Sequence, residues 1–247
     1  MANTFKMVRS TVSSMIGGIV RSVFSVVSLF KDGQQGFWYS PTEIGTLYQD
    51  SNGTTPVTLT GEPIGLVIDK SQGLELGPEL LINGTFDTDI SDWSQTSYAS
   101  SPIWDNGSMR VTGAATGYSA VSNDTPFSTV VGKTYKLTLD IIENTGSYWL
   151  LLSNIKGSDT ADRKVVTTSD SSGPKSWHYI FTATSSSTYL HINRGSNGGY
   201  VTVDNVSVKE IKGNHATQSI SASRPTYQTA SERLTLDKVD DSVGVNI

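Results

Sequence analysis

Turn signals interrupt residues 78–211 at short intervals. They fall at Asn106-Gly107, Val131-Gly132, Thr145-Gly146, Ser172-Gly173-Pro174 and Ser196-Asn197-Gly198-Gly199. Such pairs supply the positive φ that tight hairpins need. The pieces between them alternate as half-buried strands do, with Tyr135, Leu137, Leu139 and Ile141 on one face of one piece and Trp177, Tyr179 and Phe181 on one face of another. Strands are predicted at Glu79–Ile82, Ser108–Val111, Ser119–Val121, Thr134–Ile142, Tyr148–Asn154, Lys164–Thr168, Ser176–Thr182, Thr188–Asn193 and Val201–Val208. This succession predicts a mainly β chain whose centre is an antiparallel β-sandwich of the jelly-roll kind.

Two stretches bracket that sandwich. Glu79–Trp93, ELLINGTFDTDISDW, reads as a strand (Leu80, Leu81, Ile82), a turn at Asn83-Gly84, one aromatic, an acidic loop and a tryptophan. Val201–Val208, VTVDNVSV, reads as a strand broken at Asp204-Asn205. Paired as first and last strands, they bring Asp204 beside the turn at Asn83 to Asp87. Ca2+ takes about six to eight oxygen ligands, carboxylates and backbone carbonyls among them. Asp204, Asp87 and the carbonyls around Asn83 and Thr85 are the candidate ligands of one structural ion. The other reading of Asp204 is a residue capping a turn at a bulge.

The flanks differ in pattern. Residues 1–30 predict a helix in which Phe5, Val8, Val12, Met15 and Ile19 form one apolar row, and Ile16, Ile19, Val23, Val26 and Phe30 a second, shifted near Gly17-Gly18. This is an a/d-type seam. It suits a bundle between identical chains, most simply a trimer, or else a helix packed on its own domain. Arg21 sits in mid-run, which argues against a membrane span, and no small-x-small cleavage site follows to mark a signal peptide.

Residues 31–77 are cut every few positions by Gly and Pro, so their elements must be short, with strands expected at Val57–Thr60 and Leu66–Ile68. Phe37, Trp38 and Tyr39 read first as a small core or a plug against neighbouring chains, and second as a sugar-stacking face. Residues 212–247 read as an extended tail with short strands at Leu234–Leu236 and within Val239–Val245. Four regions result: 1–30 for assembly, 31–77 for anchoring, 78–211 as the β module, and the tail.

Much chemistry is excluded. Cysteine is absent, which removes disulfides, thiolate metal sites and cysteine catalysis. The net charge of -5 opposes a broad nucleic-acid footprint. No nucleophile elbow, phosphate loop or His-Glu-x-x-His occurs. His178 and His191 sit among apolar neighbours on strands that could be adjacent, and His215 lies far from both. Asp87, Asp89 and Asp92 share one loop, unlike the two carboxylates a glycosidase sets across a cleft. No enzymatic activity is expected. A glycan-binding face remains open, with Trp104, Tyr148, Trp149 and Tyr189 as platforms and Arg194 to read hydroxyls. Tyr148 and Trp149 are adjacent on one strand, so their side chains point to opposite faces and one belongs to the core.

Two resemblances follow. Leu81-Ile82-Asn83-Gly84-Thr85-Phe86, Trp93, Gly132-Lys133-Thr134-Tyr135, Trp177 and Val203-Asp204-Asn205-Val206-Ser207-Val208 resemble the carbohydrate-binding jelly rolls found beside xylanases and glucanases. The resemblance implies glycan binding and a structural Ca2+ at Asp204 and the Asn83–Asp87 turn, although that family usually has Glu where Asp87 stands. Gly36-Phe37-Trp38-Tyr39-Ser40-Pro41, Thr46-Leu47-Tyr48-Gln49-Asp50, Gly53-Thr54-Thr55-Pro56-Val57, Gly65-Leu66-Val67-Ile68-Asp69-Lys70-Ser71 and His215-Ala216-Thr217-Gln218 through Arg224-Pro225 are similar to tailed-bacteriophage virion proteins.

That second resemblance implies a structural protein made in the bacterial host cytoplasm and carried on the virion, touching other capsid or tail proteins. A capsid decoration or head-fibre role is expected first. The alternatives are a tail-associated adhesin for host surface polysaccharide and, last, a glycan-degrading enzyme.

Overall fold

The described residues form two β units, one inserted into the other. The computed structural model describes residues 25–34, 36–97, 101–113, 119–157, 164–170, 173–194, 199–228, 233–235 and 244–245. Val12, Ile16, Ile19 and Val23 of the expected seam lie outside them. Val26 and Phe30 do not continue an α-helix; they sit in a 3-10 helix, Val26–Gly33. The predicted N-terminal α-helix therefore finds no support in the described part.

The small unit begins with β1 (Leu47–Tyr48), which pairs antiparallel with β2 (Leu66–Val67). Between them Asp50 accepts hydrogen bonds from the backbone N–H groups of Asn52 (2.9 Å) and Thr55 (2.8 Å), nucleating a tight loop. Val57–Thr60 is not the expected strand. The N–H groups of Thr58 and Leu59 both turn to the Glu62 carboxylate, at 2.6 and 2.8 Å, so they cannot serve a ladder.

The module follows as β3 (Trp93–Ser97), β4 (Ile103–Trp104), β5 (Met109–Thr112), β6 (Ser119–Asn123), β7 (Phe127–Ser128), β8 (Thr134–Asn144), β9 (Tyr148–Ser153), β10 (Lys164–Asp170), β11 (Lys175–Thr182), β12 (Ser187–Arg194) and β13 (Tyr200–Glu210). One sheet runs β10-β9-β12-β6-β3 with β7 beside β12; the other runs β11-β8-β13-β5-β4. Every pairing is antiparallel.

The two sheets enclose one core, where Leu137, Leu139 and Ile141 of β8 meet Leu150 and Leu152 of β9, Leu190 and Ile192 of β12, and Val201 and Val203 of β13. Burying each such side chain contributes about 2 kcal/mol. The mainly β, antiparallel sandwich expected from the sequence is thus the observed architecture. The Asn106-Gly107 turn closes the β4–β5 hairpin with φ of 51° and 87°, the type I′ requirement. His178 and His191 fall on β11 and β12, in different sheets, and not on adjacent strands.

The bracketing stretch departs from expectation. Residues 79–82 form no strand, although they do run antiparallel along the edge of β13: Leu80 N–H donates to Val208 O at 3.0 Å, and Val206 N–H to Gly84 O at 2.8 Å. Glu79 spoils the regular ladder, because its carboxylate takes the Val208 N–H (2.8 Å) and the Ser207 hydroxyl (2.5 Å) for itself. Asn83 and Phe86 then bend the chain at φ of 50° and 48°. Phe86 is thereby driven fully into the core, edge-on to Trp93 with ring centroids 5.5 Å apart. The break read at Asp204-Asn205 is real: the β13–β8 register shifts there and Asn205 has φ of 52°.

After β13 the chain returns to the small unit. There β14 (Ala216–Thr217) pairs with β2, β15 (Thr226–Gln228) with β16 (Arg233–Thr235), and β17 (Gly244–Val245) with β14. Leu47, Val57, Ile64, Val67, Ala216 and Tyr227 make a second core drawn from both sides of the module. A third cluster, Leu66, Ile68, Ile180 and Ile211, joins the two units, and Ile180 N–H donates to Asn52 O at 2.7 Å.

Candidate carbohydrate-binding face and acidic cluster

The outer face of the six-stranded sheet carries Trp149, Leu151 and Ser153 from β9, alternating with core residues Tyr148, Leu150 and Leu152. Opposite them on β12 stand Asn193, His191 and Tyr189, in that register. Beyond β12, Ala120 and Ser122 of β6 face Asn193 and His191. The middle row is covered although it lies on the outside: Leu151, His191 and Ser122 are 5%, 3% and 0% exposed. Residues 154–157, leaving β9, reach the far strand β3, where the Lys156 ammonium donates to Ser94 Oγ at 3.0 Å and ion-pairs with Asp124. The Gly157 backbone lies against Thr96; a Cβ there would stand 3.4 Å from the Thr96 Cβ. Burial alone would raise the Asp124 pKa, but hydrogen bonds from Lys156 and Ser94 hold it below the usual carboxylate range.

Trp149 and Asn193 remain as a shelf beside this strap, with Ala120 beyond them only 7% exposed. Trp149 and Asn193 are half-buried and directly paired across β9 and β12. The Asn193 Oδ1 is buried with no partner among the described residues. A flat, partly exposed indole suits a sugar, whose C–H face stacks on an aromatic ring.

Of the five residues expected to bind glycan, Trp149 and Tyr189 share this face. Tyr148 does not: it is fully buried, and its hydroxyl accepts from Trp177 Nε1 at 2.9 Å. Arg194 does not read sugar hydroxyls from this face either. Its guanidinium is buried and donates to the carbonyls of Ser147 (2.8 Å) and Thr145, a fastening of the β8–β9 turn, and that burial lowers its pKa. Trp104 lies on an edge strand of the other sheet, its Nε1 donating to Phe86 O at 2.7 Å, so it cannot join Trp149 in one site. The sequence carried no signal for Asn193 or for the strap, because contacts made by loops follow no periodicity.

The second candidate site is acidic. Asp204 faces Asp140 across β13 and β8, and its pKa is raised by burial first and then by the charges of Asp140 and Asp87. Thr85 Oγ1 donates to Asp87 at 2.7 Å, and the Asn205 amide donates to Asp140 at 3.0 Å. Asn83 turns away, its amide holding Asp89 at 2.8 Å and Ser91 O at 3.0 Å. The Gly84 carbonyl is taken by Val206. Among the described residues no three Asp, Glu, His or Cys side chains are grouped tightly enough to hold a metal. The negative charge gathered at Asp204, Asp140 and Asp87 is of the kind a hard cation neutralises, and of the expected ligand residues Asp87 lies within electrostatic reach of Asp204, while the Asn83 side chain is engaged by Asp89 and Ser91.

The anchoring aromatics are turned inward on their own unit. Phe37 stacks on Tyr39 at 4.8 Å, Tyr39 Oη donates to Asn214 O at 2.5 Å, and the Lys70 ammonium lies 3.9 Å from the Trp38 ring centre. No helix among the described residues is long and apolar enough to cross a membrane.

The fold defines the module as an antiparallel sandwich with an aromatic outer face. No protein-family model matches the chain, and no curated protein matches it in sequence. Solved structures are similar to about half of it. The enzymatically active domain of bacteriophage CBA120 tailspike protein 4 is 12% identical with a TM-score of 0.44, over 54% of this chain and 21% of that one. The CBM22-1 xylan-binding domain from Paenibacillus barcinonensis is 11% identical with a TM-score of 0.42, over 56% of this chain and 98% of that one. The N-terminal cellulose-binding domain from Cellulomonas fimi β-1,4-glucanase C is 15% identical with a TM-score of 0.39, over 53% and 97%. This chain thus spans about a fifth of the tailspike domain. Likenesses at this level assign no activity.

Proposed function

We propose that the chain is a non-enzymatic, glycan-binding protein of a phage virion surface, with the module displayed outward as a capsid decoration or head fibre. The observation that carries the glycan part is the pairing of partly exposed Trp149 with Asn193 on the outer face of the six-stranded sheet. The virion part rests on the flanking motifs between Gly36 and Ser71 and from His215 to Pro225. Residues 1–77 supply self-association, a trimer being the simplest state, and contacts to capsid or tail proteins. A Ca2+ ion near Asp204 and Asp87 belongs to the same reading, as a structural ion.

The test is binding of the full chain to a panel of bacterial envelope polysaccharides, plant xylans and β-glucans. Binding is expected, with Trp149→Ala weakening it at least about tenfold, the scale of one lost anchor residue. No binding to any member removes the glycan reading. Binding confined to host envelope polysaccharide moves the protein to a tail-type adhesin, and release of sugar products makes it an enzyme. Light scattering tests assembly: deleting residues 1–30 is expected to lower the oligomeric state.

A further inference from the structure

We infer that the carbohydrate-binding face is blind-ended and takes the terminus of a glycan chain, with the strap at Lys156 as the wall. This deepens the glycan reading above and rests on it. A groove that binds the middle of a polymer must be open at both ends along the chain's path. Here the half-buried pair Trp149–Asn193 is one step along the strands from the row Leu151–His191–Ser122, which is 5%, 3% and 0% exposed, and Ala120, beside Asn193 on the next strand, is itself only 7% exposed. Same-face neighbours along a strand are about 7 Å apart. A sugar stacked on Trp149 and extending along β9 therefore meets the strap after roughly one ring.

The strap is held at its far side and not merely resting there. Lys156 reaches across to β3 and to the end of β6, donating to Ser94 and ion-paired with Asp124, and Gly157 is packed on Thr96. Ser94 also donates to Asp124, so ammonium, hydroxyl and carboxylate close one ring of contacts. The Lys156 and Asp124 side chains keep 33% and 40% of their surface exposed, so cutting this tie frees the strap without opening the core. Lys156 and Asp124 are in this sense specificity-determining residues that need not touch sugar.

The experiment counts modules per glycan chain. The polysaccharides of the panel above that bind are cut to defined lengths, and full-length protein is titrated into each fraction by calorimetry. The expected stoichiometry is one module per chain at every length, with affinity independent of length beyond the first few sugars. Blocking the terminal sugar that binds, by oxidation or by an added cap, is expected to abolish binding. In Lys156→Ala and Asp124→Asn the stoichiometry is expected to rise with chain length, at an unchanged melting temperature. Several wild-type modules per long chain would overturn the blind end while leaving glycan binding intact. A wild-type count of one that stays at one in both variants would overturn the role of the strap. If no panel member binds, both readings fall together.

Discussion

Asn214 donates its backbone N–H to the Asp69 carboxylate at 2.7 Å, although 145 positions separate them in the chain. Asp69 is fully buried, and its other contacts are the N–H of Trp38 (2.7 Å), the N–H of Ser71 (2.8 Å) and the Ser71 hydroxyl (2.7 Å). One carboxylate therefore ties the segment before the module to the segment after it. The module is an insertion whose ends meet, the geometry that tolerates an inserted domain. Replacing Asp69 with Ala strands several buried donors at once. The expected loss is about 3 kcal/mol, read by chemical denaturation. Amide exchange at Trp38 and Asn214 should accelerate while exchange in β8 and β13 stays slow. Equal acceleration everywhere would mean that the two units unfold as one.

His215 gives the same junction a pH dependence. Its Nδ1 accepts from Asp69 N–H at 3.0 Å, so the proton sits on Nε2, which donates to Ile211 O at 2.9 Å. The ring is 4% exposed, and burial lowers its pKa, with Lys133 adding to the effect and Asp69, Glu210 and the Ile211 bond opposing it. The folded protein holds this histidine neutral, whereas the unfolded chain takes up a proton below about pH 6.5. The associated stability is present above that pH and is lost as pH falls further. Denaturation midpoints should drop between pH 7 and 5 in the wild type. His215→Asn, whose side-chain oxygen can accept the same Asp69 N–H, should flatten the drop. A variant as pH-sensitive as the wild type would assign the effect to another group.

What the sequence made legible was whatever local pattern controls. Alternation placed β8, β11 and β13 within one or two residues, and Asn106-Gly107 specified its hairpin through the positive φ that it accepts. The bracketing stretch misled because Leu80-Leu81-Ile82 has a strand's composition, while the Glu79 carboxylate, with no periodic signature, takes the ladder's hydrogen bonds. Adjacency on one strand makes Tyr148 and Trp149 point opposite ways, and only packing shows that the tyrosine is the core member. The charge of Arg194 suggests a ligand contact, whereas its burial against the Thr145 and Ser147 carbonyls is a tertiary fact. The joining of residues 36–71 to 211–228 is equally invisible locally, since β2 and β14 are two residues each.

Gly84 is a sharp test of how the first stretch is seated. A Cβ at this position would overlap the Val206 carbonyl oxygen, a backbone atom that the sheet holds in place. The close approach is what lets Val206 N–H reach Gly84 O and so lets residues 80–84 close the free edge of β13. Gly84→Ala must push the two chains apart, and a loss of about 2 kcal/mol or more is expected. The melting temperature of the variant decides it; a wild-type value would mean that the stretch is not pinned to β13.

Asp204 links the fold to the proposed ion. Burial and the facing charges of Asp140 and Asp87 raise its pKa, so the ionised form is disfavoured in the folded state. For a carboxylate shifted this way the penalty is absent at low pH, where the group is protonated in both states. It appears as pH rises through the unfolded value of about 3.9 and is complete above the folded one. In chelator, Asp204→Asn should therefore be more stable than the wild type by about 0.5 kcal/mol, the scale of one like-charge cross-strand contact. Added Ca2+ should reverse the order. A cation among these carboxylates stabilises the wild type by about 2.7 kcal/mol when its concentration is a hundredfold above the dissociation constant, and the variant should gain much less. The melting temperature measured with and without Ca2+ checks both halves. Equal shifts in the two proteins would place the ion elsewhere, and no shift in the wild type would remove Ca2+ from the proposal while leaving the repulsion between Asp140 and Asp204 in force.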